Sequence, residues 1–138
     1  MAAIAITVRE MTDAELVEGF EDATLEEFPH AAHVRVAWWL VTHEPLLAAI
    51  ARMRGGLQRF AAAKGKPDRY HETITIAFVL LVADRRRNDE AWDGFAARNP
   101  DLLEWPCPAL RRFYGDELDT PRAREVFVAP AERRAPTS

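Results

Sequence analysis

Two short segments hold the residue types best suited to chemistry: Pro29-His30-Ala31-Ala32-His33-Val34-Arg35 and Tyr70-His71-Glu72-Thr73. The chain has only four histidines, and three of them lie in these segments. His30 and His33, spaced i and i+3, share one face of a helix and can aim their rings at one point. Together with His71 they make a nitrogen set, to which Glu72 adds oxygen, suited to Zn²⁺, Fe²⁺ or Mn²⁺. Two of the histidines with Glu72 would instead resemble the facial triad of non-haem iron sites. A metal so held acts as a Lewis acid, or lowers the pKa of a bound water to about 7. The same side chains also suit metal-free acid–base chemistry, with Glu72 tuning His71. A buried polar network without catalysis is the third alternative. The positive amino-terminal ends of helices repel a cation, yet they favour the neutral imidazole that binds one.

Neighbouring residues divide between functional and structural readings. Arg35, between Val34 and Val36, either bridges a carboxylate such as Glu72, grips an anionic substrate as a bidentate fork, or faces solvent. Tyr70 is either a proton donor at the site or a packed aromatic. Glu72 lies about 100° further round its helix than His71, which works against both meeting one point. His43 sits roughly 15 Å along the helix from His33 and falls outside the cluster. Trp38 and Trp39 are adjacent on a helix, so only one of them can face the core.

The elements that must position these residues read as helices. Thr12-Asp13-Ala14-Glu15 is a capping-box pattern opening a short helix through about Ala23. A second helix starts near Pro29, runs through Val41 and stops before Pro45. A third spans Leu46 to about Ala63, with Leu47, Ile50, Met53, Leu57 and Phe60 at helical spacing. Gly55-Gly56 in its middle costs about 1 kcal/mol per glycine against alanine, unless a close approach requires it. Gly65 closes that helix and Lys66-Pro67 makes the turn. Asp68 is a candidate N-cap for a fourth helix, Arg69 to Arg86; its β-branched content also admits a strand, which its length disfavours. Asn88 can cap a fifth helix, Asp89 to about Arg98. The proline-containing stretch from Leu102 to Tyr114 reads as short helical turns, and Thr120-Pro121 opens a last short helix toward Phe127. Ala129 to Ser138 reads as a loose tail. With short connections, the second, third and fourth helices run up, down and up. The starts of the second and fourth then share one end of the bundle, where His30, His33 and His71 converge.

Composition sets the class. The chain is 138 residues with 49% hydrophobic and 29% charged side chains, matching one globular domain. A net charge of −4 argues against a nucleic-acid footprint and gives no polybasic membrane anchor. The most apolar run, Ile74 to Ala83, is about half the length needed to span a bilayer. Cys107 is the only cysteine, which excludes an internal disulfide and a multi-thiolate zinc site. With no signal-peptide pattern at the amino terminus, the expected location is the cytoplasm. No glycine-rich phosphate loop or nucleophile elbow occurs, so no nucleotide cofactor is expected. Arg85-Arg86-Arg87 reads as complementing the carboxyl end of the fourth helix.

Phe28-Pro29-His30-Ala31-Ala32-His33-Val34-Arg35-Val36-Ala37-Trp38 resembles a motif Phe-x-His-x-x-His-[Leu/Val]-Arg-x-Ala-Trp, and Tyr70-His71-Glu72-Thr73-Ile74-Thr75 resembles its companion. Both occur in a family of small bacterial proteins of uncharacterised activity. The similarity extends through Phe95 to Leu103 and Ala123 to Val128, and so spans roughly residues 25 to 128. The family's Pro-Asp after the last helix is Pro130-Ala131 here. The resemblance implies that His30, His33, Arg35, Tyr70, His71, Glu72 and Thr73 belong to one motif set, without assigning them a reaction. The resulting expectation is an all-α single domain of about five helices. Its expected function is that of a small metal-dependent enzyme acting on a small-molecule substrate. His30, His33, His71 and Glu72 would be ligands, and Glu72, Arg35 and Tyr70 catalytic groups.

Overall fold

The capping box at Thr12 forms: the Thr12 hydroxyl accepts from the Glu15 amide at 3.1 Å, and the Glu15 carboxylate accepts from the Thr12 amide at 2.9 Å. In a computed structural model, which describes residues 7–130, this box opens α1 (Asp13–Glu21). There follow α2 (His30–His43), α3 (Leu46–Ala63), α4 (Glu72–Arg85), α5 (Trp92–Arg98), α6 (Pro100–Leu103), α7 (Pro108–Tyr114) and α8 (Pro121–Glu125). Three 3₁₀ turns, Val8–Glu10, Pro67–Arg69 and Gly115–Asp119, complete the set. Among the described residues there is no strand, and the eight α-helices form one all-helical domain rather than the five expected. The extra helices come from the proline-rich carboxyl-terminal part. Pro100, Pro108 and Pro121 stand at the first positions of α6, α7 and α8, where proline's missing N–H costs nothing. Of the tail expected over Ala129 to Ser138, residues 131–138 lie outside the described region.

The central element is α2, which packs against α1, α3, α4, α5 and α6. Val34, Val36, Ala37, Leu40 and Val41 are therefore all buried, and its apolar residues surround the helix instead of striping one side. Trp38 faces the core at 5% exposure, while Trp39 is half-buried and stacks on His43 at 4.2 Å. Helix α3 buries Ala49, Met53 and Gly56, with Ile50, Leu57 and Phe60 packed against the core as their spacing suggests; only Leu47 of that line fails, at 80% exposure. Two further boundaries shift. Asp89 adopts a left-handed φ of 63°, which breaks the expected start of the fifth helix, and α5 begins only at Trp92. Asp68 does not cap α4 but lies in a 3₁₀ turn; α4 begins at Glu72, with His71 as its N-cap.

Ion pairs tie the helices at their edges. Arg52 on α3 reaches Glu21 on α1 and also Glu44. Arg85 at the end of α4 bonds Asp101 at 2.7 Å and Asn99 at 3.2 Å, so it docks α6 rather than merely balancing its own helix terminus. Cys107 is buried, caps α7 and points its thiol at the Asp101 carbonyl, 3.5 Å away.

The two adjacent glycines of α3 have unlike roles. A Cβ on Gly56 would collide with the ring of Phe20, a fully buried residue of α1 that cannot swing aside. A Cβ on Gly55 would meet only the mobile end of Arg59 at 3.2 Å. Gly55→Ala is therefore expected to stabilise the fold by up to about 1 kcal/mol through helix propensity. Gly56→Ala is expected to destabilise it by about 1–3 kcal/mol through overpacking. Urea unfolding of the two variants checks the contrast, and equal effects would show that Gly56 is not a packing residue.

Candidate functional site

The amino-terminal halves of α2 and α4 and the carboxyl-terminal half of α3 enclose a cavity of about 690 Å³. This arrangement is the one the up-down-up connection demands. From α2 come His30, His33 and Ala37, with Phe28 just before them; α3 contributes Met53, Leu57, Phe60 and Ala61. The start of α4 adds His71, Ile74, Thr75, Phe78 and Val79, and Tyr70 precedes it. Trp105, 57% exposed, closes one side with its ring centroid 5.0 Å from that of His30. The three histidines singled out by spacing thus line one cavity.

Their ring nitrogens are largely committed to the frame. His71 Nδ1 accepts the Ile74 amide at 3.1 Å as the N-cap of α4, and Nε2–H donates to the Leu118 carbonyl at 2.7 Å. Both nitrogens are used, and the pattern requires the neutral ring protonated on Nε2. His30 Nε2–H donates to the Leu102 carbonyl at 2.8 Å, fixing α6 to the start of α2. Its Nδ1 makes no hydrogen bond among the described residues. His33 stacks on Phe28 with centroids 4.0 Å apart, and lies 6.3 Å from the His30 ring. Burial, helped by neighbouring His30, pushes His33 down to about 4 against the pull of the Phe28 carbonyl. Burial also lowers His30 and His71, in each case opposed by the carbonyl that the ring faces. The cavity therefore presents neutral imidazoles at pH 7.

Glu72 faces away from the histidines. Its carboxylate is gripped by Arg54 of α3, Oε1 at 2.7 Å from Nε and Oε2 at 2.8 Å from Nη2, and it also accepts the Tyr70 hydroxyl at 2.6 Å. The Arg54 hydrogen bonds hold Glu72 below the usual carboxylate range. Tyr70 is pushed up to about 12, chiefly by burial and then by its bond to Glu72, so it stays a phenol. Its hydroxyl donates to Glu72, and Thr75 and Arg54 also engage it. Arg35 lies elsewhere: it bonds Asp13 at 2.7 Å and the Met11 carbonyl at 2.9 Å, clamping the start of α1 to α2. It bridges a carboxylate as one reading expected, but Asp13 rather than Glu72. His43 is exposed, and its Nδ1–H donates to the Trp39 carbonyl of its own helix at 2.8 Å, away from the cavity.

These bonds bear on the expected metal. Among the described residues no group of three or more His, Cys, Asp or Glu side chains is placed to hold a metal ion. His71 has no lone pair to offer while it caps α4, and Glu72 is turned into its ion pair with Arg54. The residues present do not fit a His30–His33–His71–Glu72 ligand set. Also missed by spacing were the cavity's cations, Lys64, Lys66, Arg69 and Arg124. Three of them lie in Lys64-Gly65-Lys66-Pro67-Asp68-Arg69, whose residues were read for a helix end, a turn and the next helix start and not for their charge.

No protein-family model matches the chain, and no curated protein or solved structure matches it. Among the described residues no helix is long and apolar enough to cross a membrane.

The buried histidines carry a pH dependence with a definite sign. Their folded pKa values lie below the ordinary 6.5, so the unfolded chain takes up protons first as pH falls. Stability is full above about pH 6.5 and is lost as pH drops toward 4, His33 alone accounting for up to about 3 kcal/mol. Urea unfolding between pH 7 and 4.5 should show this loss, and His33→Gln should flatten much of the slope. An unchanged slope in that variant would mean His33 is not a buried neutral ring.

Proposed function

We propose that the chain binds a small molecule in the cavity between α2, α3 and α4, without a metal, and that its neutral imidazoles orient the ligand. One observation carries this reading: about 690 Å³ of largely apolar space meets a few polar side chains, among them His30, His33 and Tyr70. That is the size and chemistry of small-molecule sites, typically about 300–1,000 Å³ with few polar groups in an apolar wall. The resemblance to the uncharacterised bacterial proteins supports it further. Of the residues that carry those motifs, Phe28, His30, His33, Ala37, Tyr70 and His71 line the cavity. A shared pocket is a physical reason for sharing them. An acid–base reaction would be a use of the same pocket, with an imidazole as the proton acceptor. A metal held through His71 would require that ring to give up at least its bond to the Ile74 amide.

The neutral fluorophore N-phenyl-1-naphthylamine tests the reading. Its emission should rise and saturate at one molecule per chain. Ala61→Trp, which fills the cavity from the partly exposed wall of α3, should weaken that binding by about tenfold or more. Absence of binding, or equal binding by the variant, would remove the pocket as a ligand site. Metal content of untagged protein provides the second arm. Near-stoichiometric metal that is lost in His33→Ala would overturn the metal-free reading and restore the metalloenzyme.

A further inference from the structure

The charged residues lining the cavity are all of one sign. Lys64, Lys66, Arg69 and Arg124 reach it, and no aspartate or glutamate does. This is the reverse of the whole chain, where 22 acidic residues outnumber 18 basic ones. The four are exposed and the wall behind them is apolar, so charge gathers at the rim of the pocket and not in its depth.

Local structure builds that rim. At the end of α3 the chain turns through Gly65 at φ 71°, with the Lys66 amide on the Ala61 carbonyl at 2.9 Å and the Gly65 amide on Ala62 at 3.0 Å. These paired bonds are the Schellman closure, which allows the helix to stop abruptly between two lysines. The 3₁₀ turn Pro67–Arg69 then places Arg69 beside them. Arg124 arrives from α8 and donates to the Asp68 carbonyl at 3.0 Å, bracing that turn. Lys64 spends its ammonium on the Glu26 carbonyl at 2.9 Å. Lys66 and Arg69 make no side-chain hydrogen bond or ion pair among the described residues. Asp68, between them in sequence, neither lines the cavity nor makes an ion pair among the described residues, and Glu72 is already paired with Arg54. One ammonium and one guanidinium are thus left at the entrance without an ion pair among the described residues, and no carboxylate lines the cavity beside them.

We infer that the ligand is an amphipathic organic anion: an apolar body seated among Phe28, Leu57, Phe60 and Phe78, with a carboxylate or comparable acid head held at the rim by Lys66 and Arg69. This rests on the pocket being a ligand site. The single-sign rim adds the ligand's charge, and the apolar depth adds its shape. Trp105, at the opening, supplies a natural reporter.

Calorimetry and Trp105 emission with decanoate, decan-1-ol and decylamine, all below their aggregation concentrations at pH 7.5, separate the possibilities. Decanoate is expected to bind about tenfold or more tightly than the alcohol, decylamine more weakly still, and added salt should narrow the gap. The double substitution Lys66→Glu and Arg69→Glu, at exposed positions, should abolish the preference for decanoate while leaving N-phenyl-1-naphthylamine binding intact. Retained fluorophore binding also shows that the variant is folded. Equal affinity for acid and alcohol, or a preference that survives the double substitution, would overturn the anion assignment with the pocket itself still standing. Failure of the fluorophore in the native protein would instead remove the pocket reading beneath it.

Discussion

The structure depends on neutral imidazoles that satisfy backbone groups at chain reversals. His71 accepts the Ile74 amide in the first turn of α4 on one nitrogen and donates to the Leu118 carbonyl from the other. One ring therefore starts the helix that forms a wall of the pocket and also anchors the returning Gly115–Asp119 turn. His30 does the same for α6 through Leu102. An unpaired buried carbonyl costs roughly 1–3 kcal/mol, so each ring stabilises segments more than forty residues away in sequence. Thr73 extends the pattern: its hydroxyl donates to the Val126 carbonyl at 2.8 Å and accepts the Val128 amide at 3.0 Å. The carboxyl-terminal strip is thereby laced to α4 by side chains, since it is too short in regular elements to be held by packing alone.

Keeping those rings neutral follows from their surroundings. Burial penalises the imidazolium, and the amino-terminal ends of α2 and α4 add a positive field that does the same. The environment that suits an imidazole as a cap would also repel a divalent ion. Three histidines can thus share a cavity as neutral rings. The committed hydrogen bonds leave His30 Nδ1 and the His33 ring as polar features of the cavity, set in a wall of aromatic and aliphatic side chains.

Helix content and the sharing of one cavity by His30, His33 and His71 were legible because both follow from periodicity and short connections. The i, i+3 spacing and the up-down-up order needed no tertiary information. What each ring does was not legible. A cap is recognised by where the helix begins, and Asp68 offered a more conventional start than His71. The choice was settled by the Leu118 carbonyl, which arrives from 47 residues downstream. Glu72 shows the same limit. Its neighbour in sequence is a histidine, but Arg54 on α3 presents a planar two-point donor, and that geometry outcompetes proximity along the chain. Leu47 failed for a simpler reason: it lies in the first turn of α3, while Ile50, Met53, Leu57 and Phe60 further along the same line do meet the core.

Arg35 makes the division of labour within a motif concrete. It stands two residues after His33, yet the helical turn carries it to the opposite partner, the start of α1, where it holds Asp13 and the Met11 carbonyl. The segment from Phe28 to Trp38 therefore does two jobs at once. One face, with His30, His33 and Ala37, forms the cavity; the other, with Arg35 and Trp38, fixes α2 against α1 and the core. Restraint on every residue of such a segment needs no common chemistry. It needs only that the helix which shapes the pocket is also the helix around which the domain is assembled.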